Sequence, residues 1–312
     1  MTKRHIKPLM GCVAAISLIS IGTAYAKEGG DQYPNGAETW MAGAVPPKGN
    51  YFINYTGHYG GKLRDGRGKK VSGAKVGAWF TAQRYIHMTD KKIFGADYGW
   101  HVIVPLVHQN LRLGGASKSR NALGDVTINP LILAWHRDNL HWAFGLDINL
   151  PTGAYDSKDA RRSVGANYWS FEPLLAVTWL HDDGWEASGK FMYNIKTKNK
   201  DFRPEPGARK MDYKSGQEFH MDYLLGKHIG QWGVGVSGYY LKQTTNDKVD
   251  GSTLAGSPAW SRGRKGQVFS YGPTLSYTTQ SGVMISGQWN HESKVRNRFG
   301  GDKLMLKLVT AF

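Results

Sequence analysis

From about residue 51 onward the sequence alternates, and that alternation limits what the chain can fold into more than any other feature. Leu140, Trp142, Phe144, Leu146, Ile148 and Leu150 form an unbroken apolar row, and His141, Ala143, Gly145, Asp147 and Asn149 fall between them. Trp169, Phe171, Pro173, Leu175, Val177 and Trp179 repeat the pattern, as do Leu304, Leu306, Leu308, Thr310 and Phe312. About twelve segments of this kind run to the last residue. A period of two belongs to a strand with one apolar and one polar face. Beyond residue 26 no run of about 18 apolar residues is present, so a membrane-spanning helix is excluded there. The 40 glycines and the 12% aromatic content fit a strand-and-turn chain.

Two architectures satisfy such rows, a soluble β-sandwich and a membrane barrel. Connector length separates them. Odd connectors are long and even ones mostly tight, among them Arg137-Asp138-Asn139, Asp182-Asp183-Gly184, His228-Ile229-Gly230 and Gln280-Ser281-Gly282, all good hairpin chemistry. Among the even ones only the second connector, around Thr89 to Gly95, is somewhat longer. Trp142, Trp169, Trp179 and Trp185 stand near the ends of the rows, where barrel girdles place aromatic rings. The expectation is an all-β chain whose residues 49–312 form a 12-stranded antiparallel transmembrane outer-membrane β-barrel, with short periplasmic turns and long extracellular loops.

The first residues read as an address. Lys3, Arg4 and Lys7 precede the apolar stretch Leu9 to Ile21, and Ala24-Tyr25-Ala26 is an A-x-A site. Residues 1–26 are therefore expected to be a secretory signal peptide cleaved after Ala26. Leu9-Met10-Gly11-Cys12 also fits a lipobox, a weaker reading because Cys12 precedes nearly all of the apolar stretch. Cys12 is the only cysteine, so the exported chain has no thiol to mispair in an oxidising periplasm. Residues 27–48 lack the period of two. They are expected to plug the periplasmic half of the lumen, with a helical turn near Glu38 to Ala42; a periplasmic tail is the alternative.

The charges follow the same topology. The chain carries a formal net charge of +16, and most of its Lys and Arg lie in the long connectors. Arg64, Arg67, Lys69, Lys70, Lys196, Lys198, Lys200, Arg209, Lys210, Arg262, Arg264 and Lys265 are expected to form a basic outer rim, suited to lipopolysaccharide or to drawing anionic solutes toward the mouth. Polar residues inside the alternating segments must avoid lipid, where a mid-plane cation costs about 2–4 kcal/mol. Asp147, Glu172, Lys190, Glu218, His220, Asp222, Gln288 and Lys307 are accordingly expected to line the lumen. Pairing Leu150 with Trp169 sets Asp147 opposite Glu172. Adjacent carboxylates suit a glycosidase or lipase, but also a hydrogen-bonded network that stiffens a narrow barrel, and the network is favoured. Gly233-x-Gly235-x-x-Gly238 matches a dinucleotide fingerprint only as a bare pattern, because no helix opens on it. No metal ligand spacing, cofactor motif or nucleic-acid partner is indicated.

Several strings resemble a known family in their order along the chain. They include Tyr33-Pro34-Asn35-Gly36-Ala37-Glu38, Ala42-Gly43-Ala44-Val45-Pro46-Pro47, Gly124-Asp125-Val126, Leu150-Pro151-Thr152-Gly153-Ala154-Tyr155, Tyr168-Trp169-Ser170-Phe171-Glu172-Pro173, Ser215-Gly216-Gln217-Glu218-Phe219-His220 and Gly238-Tyr239-Tyr240. They resemble the bacterial outer-membrane β-barrel family named for the MetA pathway of phenol degradation. The resemblance implies a channel for uptake of small, often aromatic or hydrophobic, solutes, and no enzymatic step. A phospholipase-like barrel enzyme and a purely structural barrel are the alternatives. The contrast between a basic rim and inner carboxylates favours a zwitterion or a neutral polar-aromatic solute over a simple anion. The terminal Phe312 resembles a signal read by the barrel-assembly machinery, so its deletion should lower the yield of assembled barrel in membranes.

Overall fold

A computed structural model describes residues 31–205 and 207–312. The leader, its cleavage point and residues 27–30 lie outside the described residues.

Twelve strands form the wall. They are β1 (Gly49–Arg64), β2 (Lys70–Ile93), β3 (Ala96–Leu113), β4 (Thr127–Arg137), β5 (Leu140–Asn149), β6 (Ser170–Leu180), β7 (Trp185–Lys196), β8 (Glu218–Ile229), β9 (Trp232–Gln243), β10 (Gln267–Thr278), β11 (Met284–Arg296) and β12 (Arg298–Ala311). Each pairs antiparallel with its sequence neighbours, and β1 closes on β12 from Tyr51↔Ala311 to Arg64↔Arg298. This is a closed up-and-down barrel, which removes both sheet edges and satisfies the backbone without water. No helix among the described residues is long and apolar enough to cross a membrane; the strands do the crossing.

Both described ends of the barrel chain, Gly49 and Ala311, lie with the tight connections, here called the turn end. Three of these connections have two residues, and in one of them, Phe94-Gly95, the φ values are 51° and 75°, the left-handed pair that a two-residue hairpin needs to match strand twist. The opposite, loop end carries the longer connections. Ala116–Leu123 returns along the outer half of β3. Asn199–Phe202, Met211–Lys214, Lys248–Val249 and Ser252–Thr253 form a separate four-stranded sheet that ties the β7–β8 loop to the β9–β10 loop.

Three expectations change. The first and eleventh connectors are not long loops: β1 and β2 are joined by five residues, 65–69, and β11 and β12 by Asn297 alone. Strands there continue past the apolar band, where neither face meets lipid, so the period of two fades while the pairing persists. The second connector shortens to Phe94-Gly95 for the same reason. Third, Tyr51, Ile53, Tyr55 and Tyr59 of β1 alternate with Asn54, Thr56 and His58 as another apolar row, which an apolar lipid-facing side would turn outward. Yet it faces inward: Ile53 and Tyr55 are buried and join Ala37, Ala82, Ile86, Met88, Ile132 and Met305 in the main apolar cluster. Outward rows elsewhere follow the sequence, as with Phe171, Leu175 and Trp179 on β6, which are about 40% exposed.

Candidate functional site

Residues 31–48 run through the inside of the barrel, and interior side chains hold them by hydrogen bonds. Asp222 on β8 accepts from the Tyr33 hydroxyl at 2.5 Å, the Gly36 N–H at 2.6 Å and the Glu38 N–H at 3.1 Å. Gln288 donates to the Gly36 carbonyl at 2.5 Å and accepts from Thr39 at 3.1 Å. Glu186 accepts from the Met41 N–H at 2.6 Å, and Lys303 donates to the Asn35 carbonyl at 2.7 Å. Trp40 is 1% exposed, donates to Thr274 and stands over Gly226 and Gly233, where an added Cβ would lie within 3 Å of its ring. Gly233 of the glycine pattern thus makes room for a tryptophan, while Gly235 lies against the backbone of Leu225 and Gly226.

The segment reaches further than its sequence suggests. At the loop end Asp31 pairs with Arg298 at 2.5 Å, and Gln32 donates to Asp125 at 2.8 Å; it therefore spans both halves of the interior. Trp40 to Gly43 form a turn, with Ala44 N–H donating to the Met41 carbonyl at 3.0 Å, where a helical turn was expected. Met41 has a φ of 60°, which helical backbone does not allow.

All eight candidate lumen residues are buried, and they fall into four sets. Asp147 and Glu172 face each other in register, yet each bonds to other partners. Asp147 accepts from Asn129 at 2.8 Å and lies 3.2 Å from His101 and 3.8 Å from Lys190. Glu172 binds His220 at 2.9 Å and Asn194 at 2.5 Å. Glu218 takes Lys196 at 2.5 Å. Asp222, Gln288 and Lys307 hold the N-terminal segment, Lys307 through Glu38 at 3.2 Å.

Sequence reasoning missed Glu38, Arg84 and His101. Arg84 donates to Glu38 at 2.5 Å and meets His101 Nδ1 at 2.8 Å. Acceptance at Nδ1 fixes the neutral tautomer of His101, whose Nε2–H then faces Asp147. The result is a continuous row across the lumen, Glu38–Arg84–His101–Asp147–Lys190, drawn from the N-terminal segment and four strands. It separates two cavities, of about 300 Å³ toward the loop end and about 140 Å³ toward the turn end; Glu38, Arg84, His101 and Lys190 line both. One wall of the larger cavity is apolar, built by Val76, Ala78, Phe80 and Ala82 of β2 and Ile103, Pro105, Val107 and Leu111 of β3. A signal for Arg84 was present: a cation in the middle of an alternating segment must face away from lipid.

The expected basic rim divides. Lys196 is buried and points inward, in phase with Lys190 and Asn194 on the same strand. Lys198 pairs with Asp212 at 3.0 Å, Arg209 with Asp250 at 2.6 Å, and Lys210 with Asp201. Arg64 donates to the Gly68 carbonyl, and Arg264 is half-buried over Trp260. Arg67, Lys69, Lys70, Lys200, Arg262 and Lys265 are exposed at the loop end.

Within the loops, Asp247 is fully buried and accepts from Gly216 N–H, Gln243 and the Tyr213 hydroxyl at 2.7–2.8 Å. Burial pushes its carboxyl up to about 6 against these donors, from an ordinary value of about 3.9. The folded loop then binds a proton more tightly than the unfolded one, so its stability is full below about pH 4 and falls as pH rises to about 6. Amide exchange at Gly216, corrected for intrinsic rate, should show protection that declines over this window. Asp247→Asn should flatten the profile.

Residues 60–308 match the family described as "Putative MetA-pathway of phenol degradation". The chain belongs to that family. Its fold is similar to that of an outer-membrane channel from Pseudomonas putida F1, with a TM-score of 0.71 and 15% identity over 86% of this chain and 97% of the other. It is also similar to the β domain of the Bordetella autotransporter BrkA, with a TM-score of 0.51 and 7% identity over 85% of this chain and 100% of that one. No curated protein matches the sequence. For a member of this family the resemblances speak for the fold, a 12-stranded outer-membrane barrel.

Proposed function

We propose that this chain is an outer-membrane channel for small organic solutes, aromatic ones among them, with residues 31–48 as its plug and the loop end facing outward. The observation that carries the reading is the larger cavity. Its β2–β3 wall is apolar, while its other side is polar and already internally bonded, so a solute can slide along the wall as far as the Arg84 row without breaking ion pairs. Acidic side chains outnumber basic ones in its lining. A neutral donor such as a phenol is therefore favoured over a carboxylate. The exposed cations at the loop end would face anionic lipopolysaccharide.

The same interior supports a conduit over an enzyme. Its carboxylates and histidines bond to one another and to the plug, as Glu172 does to His220 and Asp222 to Tyr33.

Liposome swelling with phenol, benzoate, amino acids and sugars tests the reading. Phenol should permeate fastest and sugars slowest. Impermeability to the whole panel, in the full chain and after deletion of residues 28–46, would overturn it in favour of a structural barrel. Phospholipid hydrolysis by pure protein, lost on changing a single Ser or His, would establish an enzyme instead.

A further inference from the structure

One stretch of the outer wall departs from the apolar rule. On β1 and β2, Asn54, Thr56, Thr81 and Gln83 point away from the interior, out of phase with the buried Ile53, Tyr55, Ala82 and Ile86. Register sets Asn54 opposite Gln83 and Thr56 opposite Thr81. Their depth follows from their neighbours. Asn54 and Thr56 lie beside Leu308 and Leu306 of β12, and Gln83 and Thr81 beside Val104 and Leu106 of β3. Toward the turn end, Tyr85 touches the rings of Trp100 and Phe312; toward the loop end, His58 packs against Trp79. Aromatic rings gather at the two membrane interfaces. The four polar side chains lie between these belts, level with hydrocarbon.

They bond among themselves. Asn54 donates to Thr81 at 3.1 Å and to Gln83 at 3.0 Å, Thr56 donates to Asn54 at 2.9 Å, and Gln83 donates to Thr81 at 3.0 Å. The Thr56 and Thr81 hydroxyls also meet at 3.2 Å, so the set leaves one N–H of the Gln83 amide to give. Lipid tails supply no acceptor for it. A protein face does, and this set, uncharged and rich in both donors and acceptors, is complementary to itself. A two-fold axis along the membrane normal keeps every residue at its own depth, so it brings two such patches together on a level.

We infer that the outward face of β1 and β2 is the contact between two copies of this chain within the membrane. Buried amides and hydroxyls serve as such adhesive between membrane segments, at about 1 kcal/mol each.

The test uses two leucines of matched exposure on opposite sides of the barrel. Leu306, beside the patch, is 55% exposed and Leu225, on β8, is 57% exposed. In a Cys12→Ser background, Leu306→Cys and Leu225→Cys are oxidised with copper–phenanthroline in native membranes, after heat-shifted gel mobility confirms that both fold. Leu306→Cys should give a covalent dimer and Leu225→Cys about tenfold less. Adding Asn54→Leu and Gln83→Leu to Leu306→Cys should lower the dimer about tenfold, the change made by about 1.4 kcal/mol. Equal cross-linking from both faces, or none from either, overturns the inference. So does undiminished cross-linking after the two leucine substitutions.

Discussion

Asp222→Ala should release the plug while leaving the barrel wall intact. The Asp222 carboxylate accepts three hydrogen bonds from residues 33–38, and no other interior side chain described here takes as many from that stretch. Bonds to an ionised acceptor contribute about 1.5–3 kcal/mol each, and relief of the buried charge returns part of that. A net loss of about 3 kcal/mol raises the population of displaced plug roughly a hundredfold. Planar-bilayer recordings should show openings that are rare in the parent chain. Asp222→Asn, which keeps the shape and loses the charge, should fall between the two. Recordings indistinguishable from the parent would mean that the segment is held by its apolar contacts, Trp40 and Ala37 foremost.

Removing residues 28–46 altogether should have the larger conductance effect. Residues 31–46 of the deleted stretch fill the space between Asp222, Gln288, Thr274 and Glu186 and supply Glu38 to the Arg84 row. Without it the two cavities join. Single-channel conductance should rise well above that of Asp222→Ala, in which the displaced segment still occupies part of the lumen. Unchanged conductance after deletion would show that the narrow passage is set by the wall itself.

The period of two made twelve strands readable, because lipid outside and polar groups inside impose opposite demands on neighbouring residues. It failed where that contrast fails. Beyond the apolar band neither face of β1, β2, β11 and β12 meets lipid, so paired backbone read as loop. On β1 the apolar row turned out to face inward, because Ala37 and Val45 give Ile53 and Tyr55 an apolar partner inside the barrel. An apolar row states only that one face is dry. Asp147, Glu172 and Lys190 were legible as inward residues from their place in alternating segments. Their partners were not, since Glu38 lies in a stretch without period and His101 reads as one polar gap in an apolar strand. Lys196 was assigned to the rim because it ends a strand, and only parity with Lys190 reveals its direction.

The N-terminal segment supplies peptide N–H groups to Asp222 and Glu186 and carbonyl oxygens to Gln288 and Lys303. Any displacement of that segment strips these groups of partners at once, in an interior too narrow for another stretch of protein to replace it. Water alone is small enough to do so, and several molecules must enter together. Opening is therefore a hydration step, and osmolytes too large to enter the lumen should slow it by lowering the activity of water.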